Sequence, residues 1–376
     1  MTKLEQLIQE LCPDGVEYKR LGDIAQIGTG SSNGNESEEN GKYPFFVRSQ
    51  FVKAKNAYEY DEEAIIIPGE GGIGDIFHYV NGKYALHQRV YRIHFTADIV
   101  NTRFAYYYMA AFFKQFILRK AVNATVSSIR KPMIEDFAVP LPPLPVQQKI
   151  VRILDSFTEL TDELNRTLEA ELTARRKQYE YYRDELLRTA KNAEVYYLNE
   201  ISENCDNQRK PVTSGNRIAG EYPYYGASGI VDYVDDYLFE GDYLLISEDG
   251  ANLLVRNTPI AFSISGRNWV NNHAHVLHFD TYETRKYVEI YLNSIDLSPY
   301  ITGGAQPKLN QKNLNKIPIL LPAPAEQARI VSILDRFDAL CNDLTSGLPA
   351  EIEARQKQYE YYRDKLLKFK SLSRNS

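Results

Sequence analysis

The sequence predicts an α+β chain: two globular blocks separated by two long helices packed as an antiparallel coiled coil, a pseudo-two-fold internal repeat. Three observations carry this reading. Residues 141–187 return at 321–367 with a constant offset of 180 and no gap, more than half the positions are identical, and KQYEYYRD is unchanged. A long repeat of rigid period means structurally equivalent units. Each copy also carries a heptad seam, and each is preceded by a block that looks like a diverged version of the other.

The first seam runs Ile150, Leu154, Phe157, Thr161, Leu164, Leu168, Leu172, Arg175, Tyr179, Tyr182, Leu186. Its steps alternate three and four, with one extra four that reads as a stutter. The second runs from Ile330 through Leu334, Phe337 and Cys341 to Tyr359, Tyr362 and Leu366. Both begin after prolines, Pro142 to Pro145 and Pro322 to Pro324, which suit a helix start and block backward extension. A helix of about 38 residues would span on the order of 57 Å. A core of this size does not need such a length, so the two helices are read as a paired spacer. Gly347 and Pro349 predict a kink or short break in the second copy.

In the blocks, 64–68 (AIIIP) and 243–247 (YLLIS) read as buried strands, and 101–121 and 284–294 as helices. GKYPFFVRS at 41–49 matches GEYPYYGAS at 220–228, and RIHF at 92–95 sits where VLHF sits at 276–279. The implied boundaries are block 1–144, spacer 145–190, block 191–324 and spacer 325–376. The helices stayed nearly fixed while the blocks drifted, so the helices share one task and the blocks have two.

Composition is ordinary globular, with 43% hydrophobic and 25% charged residues, and no apolar run reaches the ~18 residues of a membrane span. The first turns mix in charges, unlike a signal peptide. Cys12, Cys205 and Cys341 are far apart and odd in number, which fits reduced thiols and a cytoplasmic location. The net charge of −6 argues against a histone-like binder.

Catalytic signatures are missing. Gly69-x-Gly71-x-x-Gly74 matches the dinucleotide fingerprint in letters, but that fingerprint needs a helix next. Residues 75–80 read instead as a strand closed by Asn81-Gly82, so a Gly-rich hairpin is expected. There is no GxxxxGK[ST], HExxH, paired CxxC or Asn-Pro-Pro-aromatic motif. His273 and His275 share a strand face without an evident third ligand. No catalytic and no metal-binding residue is assigned.

Charge distribution is more informative. From 76 to 134 the only acid is Asp98, among Lys83, Arg89, Arg92, Arg103, Lys114, Arg119, Lys120, Arg130 and Lys131. Residues 251–279 and 297–325 lack acids and hold Arg256, Arg267, Lys308, Lys312 and Lys316. Phosphate-backbone binding requires such stretches; ordinary solvated basic faces also produce them.

The proline-led helices and their KQYEYYRD segments resemble the conserved regions of specificity subunits of type I restriction–modification enzymes. YPYYGASGIVDYV (222–234), WVNNHAHVL (269–277), GAQPKLNQKNL (304–314) and VSSIRKPMIEDFAVPLPPL (126–144) look like family target-recognition segments. The similarity covers essentially the whole chain. It implies two target-recognition domains, each reading one half of a split, asymmetric sequence in double-stranded DNA. The helices would set the unread gap and dock two methyltransferase subunits, joined by restriction/translocase subunits. The chain itself would be non-catalytic and bind no cofactor; S-adenosylmethionine, ATP and Mg would sit on its partners. TLEAEL (167–172) resembles the stretch in which the family inserts short repeats.

By position, the DNA-contacting residues expected are Arg48, Gln88, Arg89, Ser128, Arg130 and Lys131 in the first domain. In the second they are Ser228, Asn272, His273, Gln306, Lys308 and Asn310. Tyr179, Tyr182, Tyr359 and Tyr362 are seam residues, and their neighbours Lys177, Arg183, Lys357 and Arg363 face partners or solvent. The competing reading is a coiled-coil scaffold or regulator that holds two ligand-binding domains apart without DNA specificity.

Overall fold

The computed structural model describes residues 2–72, 74–120, 128–303, 306–342 and 346–372. Two compact units emerge, Met1–Thr167 with Ile352–Ser376, and Leu168–Glu351. Among the described residues six helices exceed two turns: α1 (Lys3–Leu11), α2 (Thr102–Lys120), α3 (Leu144–Arg188), α4 (Tyr282–Ser294), α5 (Pro324–Asn342) and α6 (Leu348–Leu367).

In the first unit six strands form one sheet, ordered Ala25–Thr29, Val90–Phe95, Tyr60–Pro68, His78–Leu86, Tyr43–Phe46 and Lys53–Lys55. The run AIIIP lies in its middle and is buried on both faces. Ile65 and Ile67 join the α2 side with Phe113, whereas Ala64 and Ile66 pack against Phe46, Tyr84 and Leu86. Burial on both faces is why the run does not alternate apolar with polar. Helix α2 is apolar nearly all round for a related reason. Ala105, Met109, Phe113 and Ile117, four apart, face the sheet. Phe104 and Tyr107 instead join Val146, Ile150 and Leu154 of α3 and Leu367 of α6. The helix is thus the layer that glues the sheet to the spacer.

The second unit has two four-stranded sheets. One is ordered Glu203–Asn204, Ala274–His278, Tyr243–Ser247, Ala261–Ile264; the other Gly229–Val234, Ala219–Gly226, Arg267–Val270, Phe239–Glu240. Helix α4 plays the part of α2. Its Tyr287, Val288 and Tyr291 share a core with Leu244 and Leu277 of the sheet and with Ile330 and Leu334 of α5.

Within each unit the spacer helices pack antiparallel. In the first, the Phe157 and Tyr362 rings meet tilted at 6.4 Å between centroids, and Thr158 Oγ1 lies 3.0 Å from Tyr359 Oη. In the second, Tyr182 meets Phe337 at 5.7 Å. These are one contact seen twice, because 157 and 362 become 337 and 182 under the offset of 180.

Two residues shared by both copies anchor the spacer. Gln147 is fully buried; its Nε2 donates to the carbonyls of Ile99 and Pro142 at 2.8 and 2.7 Å, and its Oε1 accepts from Asn101 N–H at 2.8 Å. Gln327 Nε2 donates likewise to Pro322 O at 2.7 Å, and its Oε1 accepts from Thr284 Oγ1 at 2.8 Å. Asp155 accepts from Arg103 Nε at 2.6 Å and from Tyr107 Oη at 2.7 Å; Asp335 accepts from Tyr282 Oη at 2.8 Å.

One sequence expectation needs revision. Asn81-Gly82 does not close a strand: His78–Leu86 runs straight through it, pairing Glu63 with Asn81 and Glu62 with Gly82, which takes φ +114° inside the sheet. The spacers are unequal, in line with the interruption expected at Gly347. The first copy is one 45-residue helix. In the second, α5 ends at Asn342 and α6 starts at Leu348, with 343–345 outside the described residues. Pro349 falls in the first turn of α6, where a missing N–H costs no hydrogen bond.

Candidate functional site

The residues expected to read DNA gather, in each unit, around the same backbone crossing. In the first unit the strand Tyr60–Pro68 ends at Gly69, whose N–H donates to Arg89 O at 2.9 Å and whose carbonyl accepts from Ile129 N–H at 2.7 Å. A Cβ on Gly69 would lie 3.0 Å from the Tyr91 ring and 3.1 Å from Arg89 O, so a larger residue here would push these neighbours back by a few tenths of an ångström. In the second unit the strand Tyr243–Ser247 ends at Glu248, whose N–H donates to His273 O at 2.9 Å and whose carbonyl accepts from Leu309 N–H at 2.7 Å. Ile129 and Leu309 are again 180 apart.

The crossing places side chains. Arg48 Nη1 and Arg89 Nη1 both donate to Glu70 Oε2, at 3.1 and 2.9 Å. The bond from Arg89, then that from Arg48, holds the Glu70 carboxyl below the usual range. Exposed Gln88 donates its Nε2 to Asn33 Oδ1 at 2.8 Å. Ser128 and Arg130 flank Ile129, and Lys131 pairs with Glu135 at 3.6 Å. In the second unit exposed His273 bonds Asp249 through Nδ1 at 2.9 Å, next to exposed Asn272. Lys308 Nζ lies 3.1 Å from Glu248 Oε1, and Gln306 is exposed close by. Ser228 sits at the turn between Ala219–Gly226 and Gly229–Val234, and Ser247 Oγ donates to Ala227 O beside it. Asn310 is committed locally: its Oδ1 caps the turn Gln311–Leu314 by accepting from Asn313 N–H at 3.0 Å.

Folding partly erases the basic stretches seen in the sequence. Arg92 pairs with Glu62 at 2.8 Å, Arg103 with Asp155 at 2.6 Å and Lys114 with Asp75 at 2.6 Å. Acids outside the stretch supply most of these partners, and linear charge segregation cannot reveal that. The Gly-rich segment proves to be the turn between two paired strands, Tyr60–Pro68 and His78–Leu86, with Ile73 outside the described residues; no helix follows it to hold a pyrophosphate.

Beneath the second crossing lies a buried polar network. His275 is 1% exposed; its Nδ1 lies 2.6 Å from Asp206 Oδ2 and its Nε2 2.8 Å from Leu309 O. Arg209 bridges Glu248 at 2.7 Å and Asp206 at 3.3 Å. Burial works to raise the Asp206 carboxyl, but the His275 bond and charge, with Val276 N–H and Arg209, hold it below its ordinary value. Such a group stabilises the fold above its unfolded pKa, near 3.8, and loses that contribution as pH falls through the lower folded value. Asp206→Asn is therefore expected to lower the second unit's stability at neutral pH and flatten its loss below pH about 4. Chemical denaturation at pH 7 and pH 3 checks this; equal losses at both would contradict it.

On the spacer, Tyr179 packs into the second core, and burial first of all pushes its hydroxyl up to about 12. Arg183 and Arg363 turn to the adjacent Asp184 and Asp364, each at 2.8 Å. Lys357 pairs with Glu353 one turn back, and Lys177 is exposed. Sequence reasoning missed Tyr181 and Tyr361, which are 65% and 63% exposed and 180 apart. Their identity in both copies, off the seam, was the available signal. Tyr361 lies 5.3 Å from Tyr362 between ring centroids, and in the first unit Tyr362, Tyr359, Phe157, Leu160 and Leu164 line an open apolar groove of about 270 Å³.

Among the described residues no group of three His, Cys, Asp or Glu side chains is placed to hold a metal ion, and no helix is long and apolar enough to cross a membrane.

Comparison with known proteins gives a consistent picture. The family model for the type I restriction modification DNA specificity domain matches twice, over residues 13–174 and 190–354. The chain is 38% identical over 181 residues to a type I restriction enzyme specificity subunit of Haemophilus influenzae, covering 47% of this chain and 46% of that one. It is 37% identical over 250 residues to the EcoR124I/EcoR124II specificity subunit of Escherichia coli, covering 60% of each. The match thus spans about half the length of these curated relatives. Among solved structures, a chain from work on complex assembly and conformational transition of the type I R-M system matches with TM-score 0.66 at 14% identity, covering 95% of this chain and 98% of that one. The S subunit from M. genitalium matches with TM-score 0.50 at 16% identity, covering 94% and 96%.

Proposed function

Because this chain belongs to the type I restriction–modification DNA specificity family, we propose that it is the sequence-reading subunit of a type I complex, binding a bipartite, asymmetric DNA target. One observation carries the reading: the same three-segment crossing occurs in both units and displays different side chains in each. A common scaffold with divergent polar tips is what reading two unlike half-sequences requires, since phosphate contacts position a protein and base-edge contacts specify the sequence.

In this reading 1–144 and 191–324 are the recognition domains, and 145–190 and 325–376 the spacers. Arg48, Gln88, Arg89, Ser128, Arg130 and Lys131 face one half-site; Ser228, Asn272, His273, Gln306 and Lys308 face the other. Asn310 orders its loop. The spacer holds the half-sites a fixed distance apart. Its exposed Tyr181 and Tyr361 and the apolar groove beside Phe157 support docking of two methyltransferase subunits, to which restriction/translocase subunits attach. The chain performs no chemistry itself; S-adenosylmethionine, ATP and Mg belong to those partners.

Selection of a randomised duplex library on the assembled complex tests this. The expected yield is two short defined sequences around a fixed undefined gap; binding without any enriched motif would overturn the reading. Arg89→Ala or Lys308→Ala is expected to weaken binding and, if the contact is to a phosphate, to reduce the slope of log affinity against log salt by about 0.9. Unchanged affinity and slope would move the interface elsewhere.

A further inference from the structure

The two crossings share a feature that a phosphate-binding surface alone would not carry. Each places a carboxylate directly on the polar group best placed to meet DNA: Glu70 against Arg89 and Arg48, Asp249 against His273. Both acids follow the equivalent strand end, Glu70 one residue after Gly69 and Asp249 one residue after Glu248. Each faces the side chain whose own backbone carbonyl closes the crossing. The pairing is therefore built twice, from different residues. All of these side chains remain between about a third and just over half exposed. Exposed pairs add little to stability, so their recurrence calls for a different role.

A carboxylate at a DNA-facing surface repels phosphates. It repels the uncharged acceptor edge of a base far less, and it orients the donors of the side chain it holds. A guanidinium resting on a carboxylate keeps other N–H groups to offer, and guanine O6 and N7 are the base-edge acceptors that suit them. We propose that Glu70 and Asp249 are positioning residues for specificity: Glu70 fixes Arg89 with Arg48 for a purine acceptor edge, Asp249 fixes His273 with its Nε2 turned to a base edge, and both reject binding through phosphate. This rests on the DNA-reading function above and adds to it which residues suppress non-cognate binding. The lowered Glu70 carboxyl is consistent with its staying charged at neutral pH.

The test uses Glu70→Gln and Asp249→Asn in the full complex with the methyltransferase, binding cognate and scrambled duplexes over a range of salt. Each variant is expected to tighten scrambled-duplex binding about fivefold, and Glu70→Gln also to steepen its salt slope by about one as a released guanidinium finds a phosphate. Cognate affinity should change less, so discrimination falls. Methylation mapping of Glu70→Gln should show one guanine relaxed in a single half-sequence, with the other half and the gap intact; Glu70→Asp should restore the requirement. Equal tightening on both duplexes, or an unchanged motif, would overturn the proposal. A wild-type complex with no preference for any duplex would instead overturn the underlying reading.

Discussion

Inserting four residues after Leu172 is expected to lengthen the unread gap of the DNA motif while leaving both half-sequences unchanged. Leu172 lies inside α3, far from both crossings in sequence. Four residues add about one turn, ~6 Å of rise, equivalent to one or two base pairs at about 3.4 Å each. Charged and polar residues flank the insertion point, so the added turn meets water rather than a packed core. The uninterrupted helix makes the first spacer the better place for this change; the second already breaks between Asn342 and Leu348. Mapping modified bases made by the variant complex reads the gap directly. A changed half-sequence would mean that the helix steers the recognition domains rather than spacing them.

The second large effect is structural. Gln147→Leu keeps the side chain's bulk but leaves three backbone groups, the buried Pro142 carbonyl and the part-buried Ile99 carbonyl and Asn101 N–H, without their partner. An orphaned buried group costs about 1–3 kcal/mol and part-buried ones less, so a loss of about 2 kcal/mol or more is expected. Gln327→Leu orphans Pro322 O and the Thr284 hydroxyl and should cost less. Denaturant unfolding of each variant gives the ordering. A loss under about 1 kcal/mol for Gln147→Leu would show that water or a shifted backbone replaces the amide.

Much of the architecture was legible because repetition and periodicity are local signals. The offset of 180 announced two equivalent units, and AIIIP and YLLIS appear as Tyr60–Pro68 and Tyr243–Ser247. Proline before each seam marked the helix starts. What stayed hidden depends on distant partners. Asn81-Gly82 has the letters of a turn, but pairing with Glu62 and Glu63 across the sheet overrides them. The basic stretches were real in sequence, yet Glu62, Asp75 and Asp155 neutralise much of them after folding. Gln147 and Asp155 were visible as shared polar letters, but nothing in one dimension says that both point inward.

The candidate site was legible in outline only. Arg89 and His273 belong to the basic stretches read from the sequence, and the structure puts each beside a strand-end crossing. Glu70 and Asp249 lie just outside the basic stretches 76–134 and 251–279 that pointed to DNA contact. Their meaning depends on the cation or imidazole opposite, and that pairing exists only in three dimensions.

The most direct measurement is a methylation map. The chain is co-expressed with its methyltransferase partner in a methylation-free host, and the DNA is sequenced for modified adenines. The account predicts one bipartite motif with a fixed gap and two unlike halves. An assembled complex that leaves the DNA unmodified, or modifies a single continuous motif, would contradict it.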